Sequence, residues 1–218
     1  MYLPNHFAET RTEVLHELIR SHPFAVLVTL DATGLVANHI PMEIDAAAGP
    51  LGTLRGHVAR ANTAWTGHRP EVEAMAVFQG LDSYITPQYY ATKATTGKVV
   101  PTWNYATVHA YGPLRAIEDP VWLRALVERL TGRHEGDRQR ATGAAAWQVG
   151  DAPASYIDAQ LRTIVGIEIP IARIQGKWKV SQNRPREDRA GVVAGLGESS
   201  DPVQRAMAEL VRERADME

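Results

Sequence analysis

A mainly β chain, closed as a barrel and carrying peripheral helices, is the fold class that the sequence predicts. Six or seven short apolar and β-branched runs are separated by turn residues. Helical spacing is confined to a few segments near the start, the middle and the end. The regular alternation of strand and long helix that a doubly wound sheet needs is missing.

Taken in order, Thr10 and Glu13 form a T-x-x-E capping pattern, and Val14, Leu15, Leu18 and Ile19 follow as a helical stripe ended by His22-Pro23. Phe24 to Leu30 and Leu35 to Ile44 read as a hairpin around Asp31-Ala32-Thr33-Gly34. Leu51 to Val58 is a third strand, and Ala59 to His68 a short helix or loop. Glu73 to Gln79 and Ser83 to Thr86 read as two further strands, with Gly80 allowing a turn or bulge between them. Residues 87–98 read as a long functional loop, followed by a strand from Val108 to Ile117. Asp119-Pro120 opens a helix with Trp122, Leu123, Leu126, Val127 and Leu130 at helical spacing, and Gly132 is its expected stop. Pro153 to Arg162 is a short helix, and Ile164 to Val180 a hairpin turning at Gln175-Gly176. Ser200 is the expected cap of a last amphipathic helix, with Val203, Met207, Leu210 and Val211 on one face. The expected organisation is one domain over residues 1–196, with residues 197–218 as a helix packed on or beside it.

Composition excludes several function classes. The 218 residues hold 23 Lys plus Arg against 25 Asp plus Glu, and neither half of the chain is basic. An autonomous DNA binder draws much of its affinity from a basic excess, and none is present. With no Cys, thiolate catalysis, Cys-ligated zinc and iron–sulfur clusters are excluded. No metal-binding histidine spacing, nucleophile elbow or dinucleotide fingerprint occurs, so neither catalytic residues nor a metal are assigned. The N-terminus lacks a leader pattern, and no apolar run approaches the roughly 20 residues that span a bilayer. The cytoplasm is the expected location, with no membrane partner.

Four segments carry candidate chemistry. Asn38-His39-Ile40-Pro41 lies on the second strand, and Gly56-His57-Val58-Ala59-Arg60-Ala61-Asn62 ends the third. His57, Arg60 and Asn62 offer donors where a strand meets a turn, which suits a phosphate; the alternative is a helix start beside a surface arginine. Tyr84, Tyr89, Tyr90, Trp103 and Tyr105 lie with Lys93 and Lys98 in or beside the long loop. Aromatic faces next to cations suit a planar anionic ligand, although they could instead fill a core gap or a dimer contact. Lys177, Lys179 and Ser181 share one face of the last strand, and Trp178 and Val180 the other. Such a lysine stripe can simply protect a sheet edge. Yet only 4 of the 23 basic residues are lysine, and all four lie in these segments, which points to a need for compact charges.

Together, Met1-Tyr2-Leu3-Pro4, Asn38-His39-Ile40-Pro41, Gly56 to Asn62, Tyr84-Ile85-Thr86-Pro87, Val100-Pro101-Thr102-Trp103-Asn104-Tyr105 with Val108-His109, and Ser181-Gln182-Asn183-Arg184 with Gly191-Val192 resemble the PaiB-type FMN-binding negative transcriptional regulators. The resemblance runs from Met1 to about Leu196 and departs from the family at Gln88-Tyr89-Tyr90, where the family more often has a small residue followed by Trp-Tyr. It implies a mainly β (α+β), dimeric split β-barrel of the pyridoxamine-phosphate-oxidase-like kind, with FMN as cofactor. It places His57, Arg60 and Asn62 near the phosphate, and Asn38, His39 and Ile40 near the ring or ribityl chain. Lys179 and Gln182 would reach the flavin from the late strand, while Trp103 and Asn104 line the pocket.

Three functions follow as expectations. The first is an FMN-binding repressor acting as a homodimer, in contact with DNA or a protein partner. The second is an FMN-dependent oxidoreductase or flavin reductase, the expected class if the chain is an enzyme at all. The third is a flavin-carrying module that regulates through a protein partner. Arg129, Arg133, Arg138 and Arg140 form the best basic stretch, but Glu135 and Asp137 interrupt it.

Overall fold

The computed structural model describes residues 1–215, and residues 216–218, the end of the expected last helix, lie outside them. In chain order the elements are β1 (Ala8–Glu9), α1 (Thr12–Ser21), β2 (Phe24–Asp31), β3 (Gly34–Asp45), β4 (Thr53–Ala59), β5 (Ala74–Ile85), α2 (Lys93–Thr96), β6 (Thr102–Gly112) and β7 (Arg115–Ile117). They continue as α3 (Pro120–Thr142), α4 (Ala154–Leu161), β8 (Ile164–Pro170), β9 (Arg173–Lys179), α5 (Arg186–Gly197) and α6 (Pro202–Ala215). The strands form a large antiparallel sheet in the order β1-β9-β6-β5-β2-β3-β4-β8-β7, an α+β arrangement of the expected class.

The chain divides into two compact units. One comprises Met1–Ser21, Gln79–His109 and Gln175–Glu218; the other comprises His22–Phe78 and Ala110–Ile174.

In the second unit, alternation places the apolar core side chains. Ala25 and Leu27 on β2, Ile40 and Met42 on β3, Leu54 and Val58 on β4, and Val165, Ile167 and Ile169 on β8 point to the core. β2 and β3 form the expected hairpin, with Asp31 accepting from the backbone N–H of Thr33 in the turn. The opposite face of that hairpin is also apolar: Phe24 pairs with Pro41, Val26 with His39, Val28 with Ala37 and Leu30 with Leu35. Val77 and Met75 of β5 extend the row beside Val26 and Val28. Phe24 is 64% exposed and Leu35 80%. β4 then pairs with β8, and β8 with the short β7.

Several boundaries differ from expectation. The two strands read around Gly80 are one, because Gly80 answers a close approach and not a turn. A Cβ there would lie 3.0 Å from Leu18 and 3.1 Å from the carbonyl of Ala106. Gly176 likewise sits inside β9, where a Cβ would come within 2.1 Å of Leu15. The expected hairpin over 164–180 does not form: β8 ends at Pro170, β9 starts at Arg173, and the two strands are not neighbours. The strand expected from Val108 starts earlier, at Thr102, and the stretch to Ile117 is split into β6 and β7.

Helix α3 passes through Gly132 and continues to Thr142, where Gly143 takes a left-handed conformation at φ 71°. A helical glycine costs about 1 kcal/mol, which a long helix absorbs. Asp119 caps its start, accepting from the N–H of Val121. The last helix is capped by Asp201, not Ser200, through the N–H of Val203.

The first unit contains an element that the sequence reading passed over. Arg186–Gly197, to which the sequence pattern assigned no element, form helix α5. Gly191 and Gly195, one turn apart, make room for Tyr89: a Cβ at Gly191 would lie 1.9 Å from its carbonyl oxygen, and one at Gly195 would lie 2.2 Å from its ring. Asp188, 1% exposed, accepts from the N–H and hydroxyl of Thr92. Helix α6 buries Met207, Ala208 and Val211. Its Arg214 reaches Glu9 of β1, which Arg11 also grips at 2.7 Å. Burial pushes the Glu9 carboxyl up, but the hydrogen bonds from Arg11 and Arg214 prevail and hold it at about 2.

Candidate functional site

The candidate residues of β3 and β4 lie in the second unit. Alternation separates them: Asn38 and Ile40 point to the core side of β3, while His39 lies on the exposed apolar face with its ring 6.1 Å from that of Phe24. Asn62, past the end of β4, donates to the side-chain oxygen of Asn38 at 2.7 Å and accepts from the N–H of Ala64 at 2.9 Å. That joins two segments 24 residues apart. The Asn38 amide nitrogen itself is buried without a partner, as is Nδ1 of His57. Burial lowers the His57 pKa, so the ring favours the neutral state. His68, which no sequence motif singled out, has both ring nitrogens buried and unpartnered. A buried donor or acceptor without a partner costs about 1–3 kcal/mol, so these atoms mark where a ligand's oxygens are missed most.

Arg60 is occupied differently from the expectation of a phosphate anchor. Its Nε donates to the carbonyl of Arg162 at 3.0 Å, Nη2 to that of Ile164 at 3.3 Å, and Nη1 to Glu118 at 2.5 Å. The guanidinium also lies 5.8 Å from the ring of Trp65. All three nitrogens are committed inside the chain.

The first unit joins the two most specific motifs, Val100 to Tyr105 and Ser181 to Arg184. Asn104 is fully buried, with its amide nitrogen 3.0 Å from the hydroxyl of Ser181. Among the described residues Ser181 is the one non-glycine with positive φ, at 69°. Gln182 closes the turn on itself: its amide donates to the carbonyl of Trp178 at 2.6 Å and accepts from the N–H of Val180 at 2.7 Å. Lys179 donates to the hydroxyl of Thr102 and the carbonyl of Trp103. Burial, with help from Lys177 and Arg184, lowers its pKa. Lys177 is buried, donating to the carbonyl of Tyr2 with its ammonium near the rings of Tyr2 and Tyr105. The alternative of a solvent-facing lysine stripe is thereby set aside, because these ammonium groups are drawn onto carbonyls, a hydroxyl and rings.

The loop aromatics do not form one wall. Tyr89 packs into α5, Tyr90 is buried beneath Arg184, and Tyr84 meets the Trp103 ring edge to face at 6.0 Å. Trp103 and Tyr84 stay about half exposed, at 54% and 49%. Of the expected pocket residues, Trp103 and Lys179 present accessible groups, while Asn104 and Gln182 brace the turn behind them.

Comparison with known proteins settles the family. Residues 1–173 match the family described as "Putative FMN-binding domain". The chain belongs to this FMN-binding family. An uncharacterised protein of Emericella nidulans is 36% identical over 249 residues, covering 100% of this chain and 98% of its own. The protease synthase and sporulation protein PAI 2 of Bacillus subtilis is 28% identical, covering 98% of each chain. Among solved structures, the flavocytochrome Anf3 of Azotobacter vinelandii has a TM-score of 0.59 at 11% identity, over 87% of this chain and 78% of that one. An FAD and heme binding protein of Mycobacterium smegmatis has a TM-score of 0.55 at 15% identity, over 92% and 96%. These likenesses support the split-barrel fold class that the motifs implied. FMN is the cofactor of this family, and the open donors of Asn38, His57 and His68 are chemically suited to its phosphate and ribityl oxygens. Among the described residues no cluster of His, Asp or Glu could hold a metal, and no helix is long and apolar enough to cross a membrane.

Proposed function

We propose that this FMN-binding protein is a cytoplasmic, homodimeric negative transcriptional regulator of the PaiB type. The observation that carries the regulatory reading is the end-to-end similarity to PAI 2. In this reading Asn38, Asn62 and His57 bind phosphate or ribityl oxygens of FMN. Arg60 holds the segment that presents them, through Glu118. Ile40 and His39 flank that segment. In the first unit, taken by itself, Trp103 and Lys179 present an aromatic face and a cation, chemistry suited to a planar anionic ligand, with Asn104 and Gln182 bracing the turn after Lys179. FMN, when bound, supplies a redox-active ring; the protein's part is to hold and orient it.

The homodimer is supported by the uncharged, exposed face of β2, β3 and β5. Apposing two copies there buries Phe24, Val26, Val28, Leu35 and Ala37 without desolvating a charge.

The arginines of α3 bear on the mode of regulation. Arg129 holds Glu43 at 2.7 Å, Arg138 holds Glu135 at 3.5 Å, and Arg140 holds Asp137. Phosphate contacts there would first have to break these pairs, which favours action through a protein partner over direct DNA contact. A promoter-DNA shift assay with FMN-loaded protein, in low and physiological salt, tests this reading. No specific shift is expected. A shift with a steep salt slope, removed by replacing Arg133, Arg138 and Arg140 with Ala, would assign a direct repressor role.

An FMN-dependent oxidoreductase is the second reading. It is favoured by Lys179, a cation of lowered pKa beside the exposed Trp103. Oxidation of NADH or NADPH on addition of FMN is its test.

A further inference from the structure

We infer that a cavity walled by Arg60, α3 and α4 is a second ligand site, which takes a small organic monocarboxylate with an apolar body. The cavity measures about 490 Å³, within the usual range for small-molecule sites. Its apolar wall is Pro120 and Leu123 at the start of α3 and Leu161 at the end of α4. Leu123 is only 2% exposed and Leu161 7%. Four charged groups surround this wall: Arg60, Glu118, Asp158 and Arg162.

Their pairing decides the sign of the ligand. Arg60 is matched by Glu118 at 2.5 Å. Asp158 is matched by Arg124 at 2.6 Å. Arg162 lends its carbonyl to Arg60, but among the described residues its guanidinium meets no carboxylate. The cavity therefore presents two neutralised pairs, an apolar wall and one uncompensated cation. A carboxylate on Arg162 with a chain of a few carbons against Leu123 and Leu161 satisfies both features, since a guanidinium pairs with a carboxylate through two parallel hydrogen bonds. An ammonium would face Arg162 directly, and an alcohol would leave the cation uncompensated.

None of the residues with open buried donors (Asn38, His57, His68) lines this cavity. The site is thus distinct from the proposed flavin contacts and does not depend on them. It is tested by calorimetric titration of the purified protein with hexanoate, hexan-1-ol and hexylammonium, with and without saturating FMN. Hexanoate is expected to bind at least tenfold more tightly than hexan-1-ol, equally in both conditions, with no binding of hexylammonium. Arg162→Ala is expected to lower hexanoate affinity about tenfold, the usual effect of losing one charge-assisted contact, and Arg162→Lys to restore part of it. Because this side chain is exposed, an unchanged thermal melt serves as the folding control for the Ala variant. Hexanoate binding no tighter than hexan-1-ol, or unaffected by Arg162→Ala, overturns the inference. Loss of binding on adding FMN overturns it too, by giving the cavity to the flavin.

Discussion

The side-chain amide of Asn104 donates to the hydroxyl of Ser181 at 3.0 Å, across 77 residues of sequence and with both side chains buried. Through that bond β6 holds the turn after β9 in a left-handed conformation that a serine does not choose unaided. The turn in turn fixes the strand end that carries Lys179. Asn104→Ala is expected to destabilise the protein by about 1–3 kcal/mol, the cost of a broken buried hydrogen bond. Ser181→Ala, which loses the hydroxyl and keeps the left-handed backbone, is expected to cost more than Ser181→Gly, which loses the hydroxyl but accepts that conformation. Urea denaturation of the three single variants measures this, and equal losses for Ser181→Ala and Ser181→Gly would remove the link between the bond and the backbone conformation.

Glu9 gives a pH dependence of known sign. Its folded pKa of about 2 lies below the ordinary value of 4.5. The stability it contributes is therefore complete above pH 4.5 and is lost as pH falls toward 2. Glu9→Gln is expected to cost about 1.5–3 kcal/mol at pH 7, where the charged hydrogen bonds to Arg11 and Arg214 are intact. The gap from wild type should narrow by pH 3. Denaturant titrations at the two pH values check it; a constant gap would place the effect in packing and not in charge.

His57 and Arg60 are expected to separate in their effects on flavin. His57→Leu removes a buried nitrogen that has no partner, so the flavin-free protein should lose little stability while FMN affinity falls about tenfold. Arg60→Ala should instead lower the melting temperature and weaken FMN and riboflavin alike, because its guanidinium serves Glu118 and two carbonyls. Flavin fluorescence titrations with both ligands decide. Weakening of FMN alone by Arg60→Ala would return that residue to the phosphate.

The exposed face of β2 and β3 predicts the effect of a surface charge. Phe24→Asp with Leu35→Asp is expected to convert the proposed dimer to a 24.0 kDa monomer in sedimentation. Both side chains are exposed within the single chain, so its own core should be spared. A dimer that survives this double change would have to use another surface.

Much of this protein is legible in its residues alone. The apolar runs Phe24 to Leu30 and Leu35 to Ile44 around the turn at Asp31 to Gly34 determined the hairpin. Both of its faces are apolar, so which one is buried was decided by the fold. The motifs around Trp103 and Ser181 determined the family, because each residue type there is tied to a local conformation or to a ligand. Asp119-Pro120 determined where α3 begins, since a cap acts within one helical turn. The tertiary structure decided what depends on partners far along the chain. Gly80 and Gly176 look like turns in sequence, but they lie inside strands because Leu18 and Leu15 need the space. Arg60 has the chemistry of a phosphate anchor, yet its charge goes to Glu118, 58 residues away. Sequence spacing specifies which groups can pair, but the folded neighbours determine which partner is nearest, and for Arg60 that neighbour is a carboxylate of its own chain.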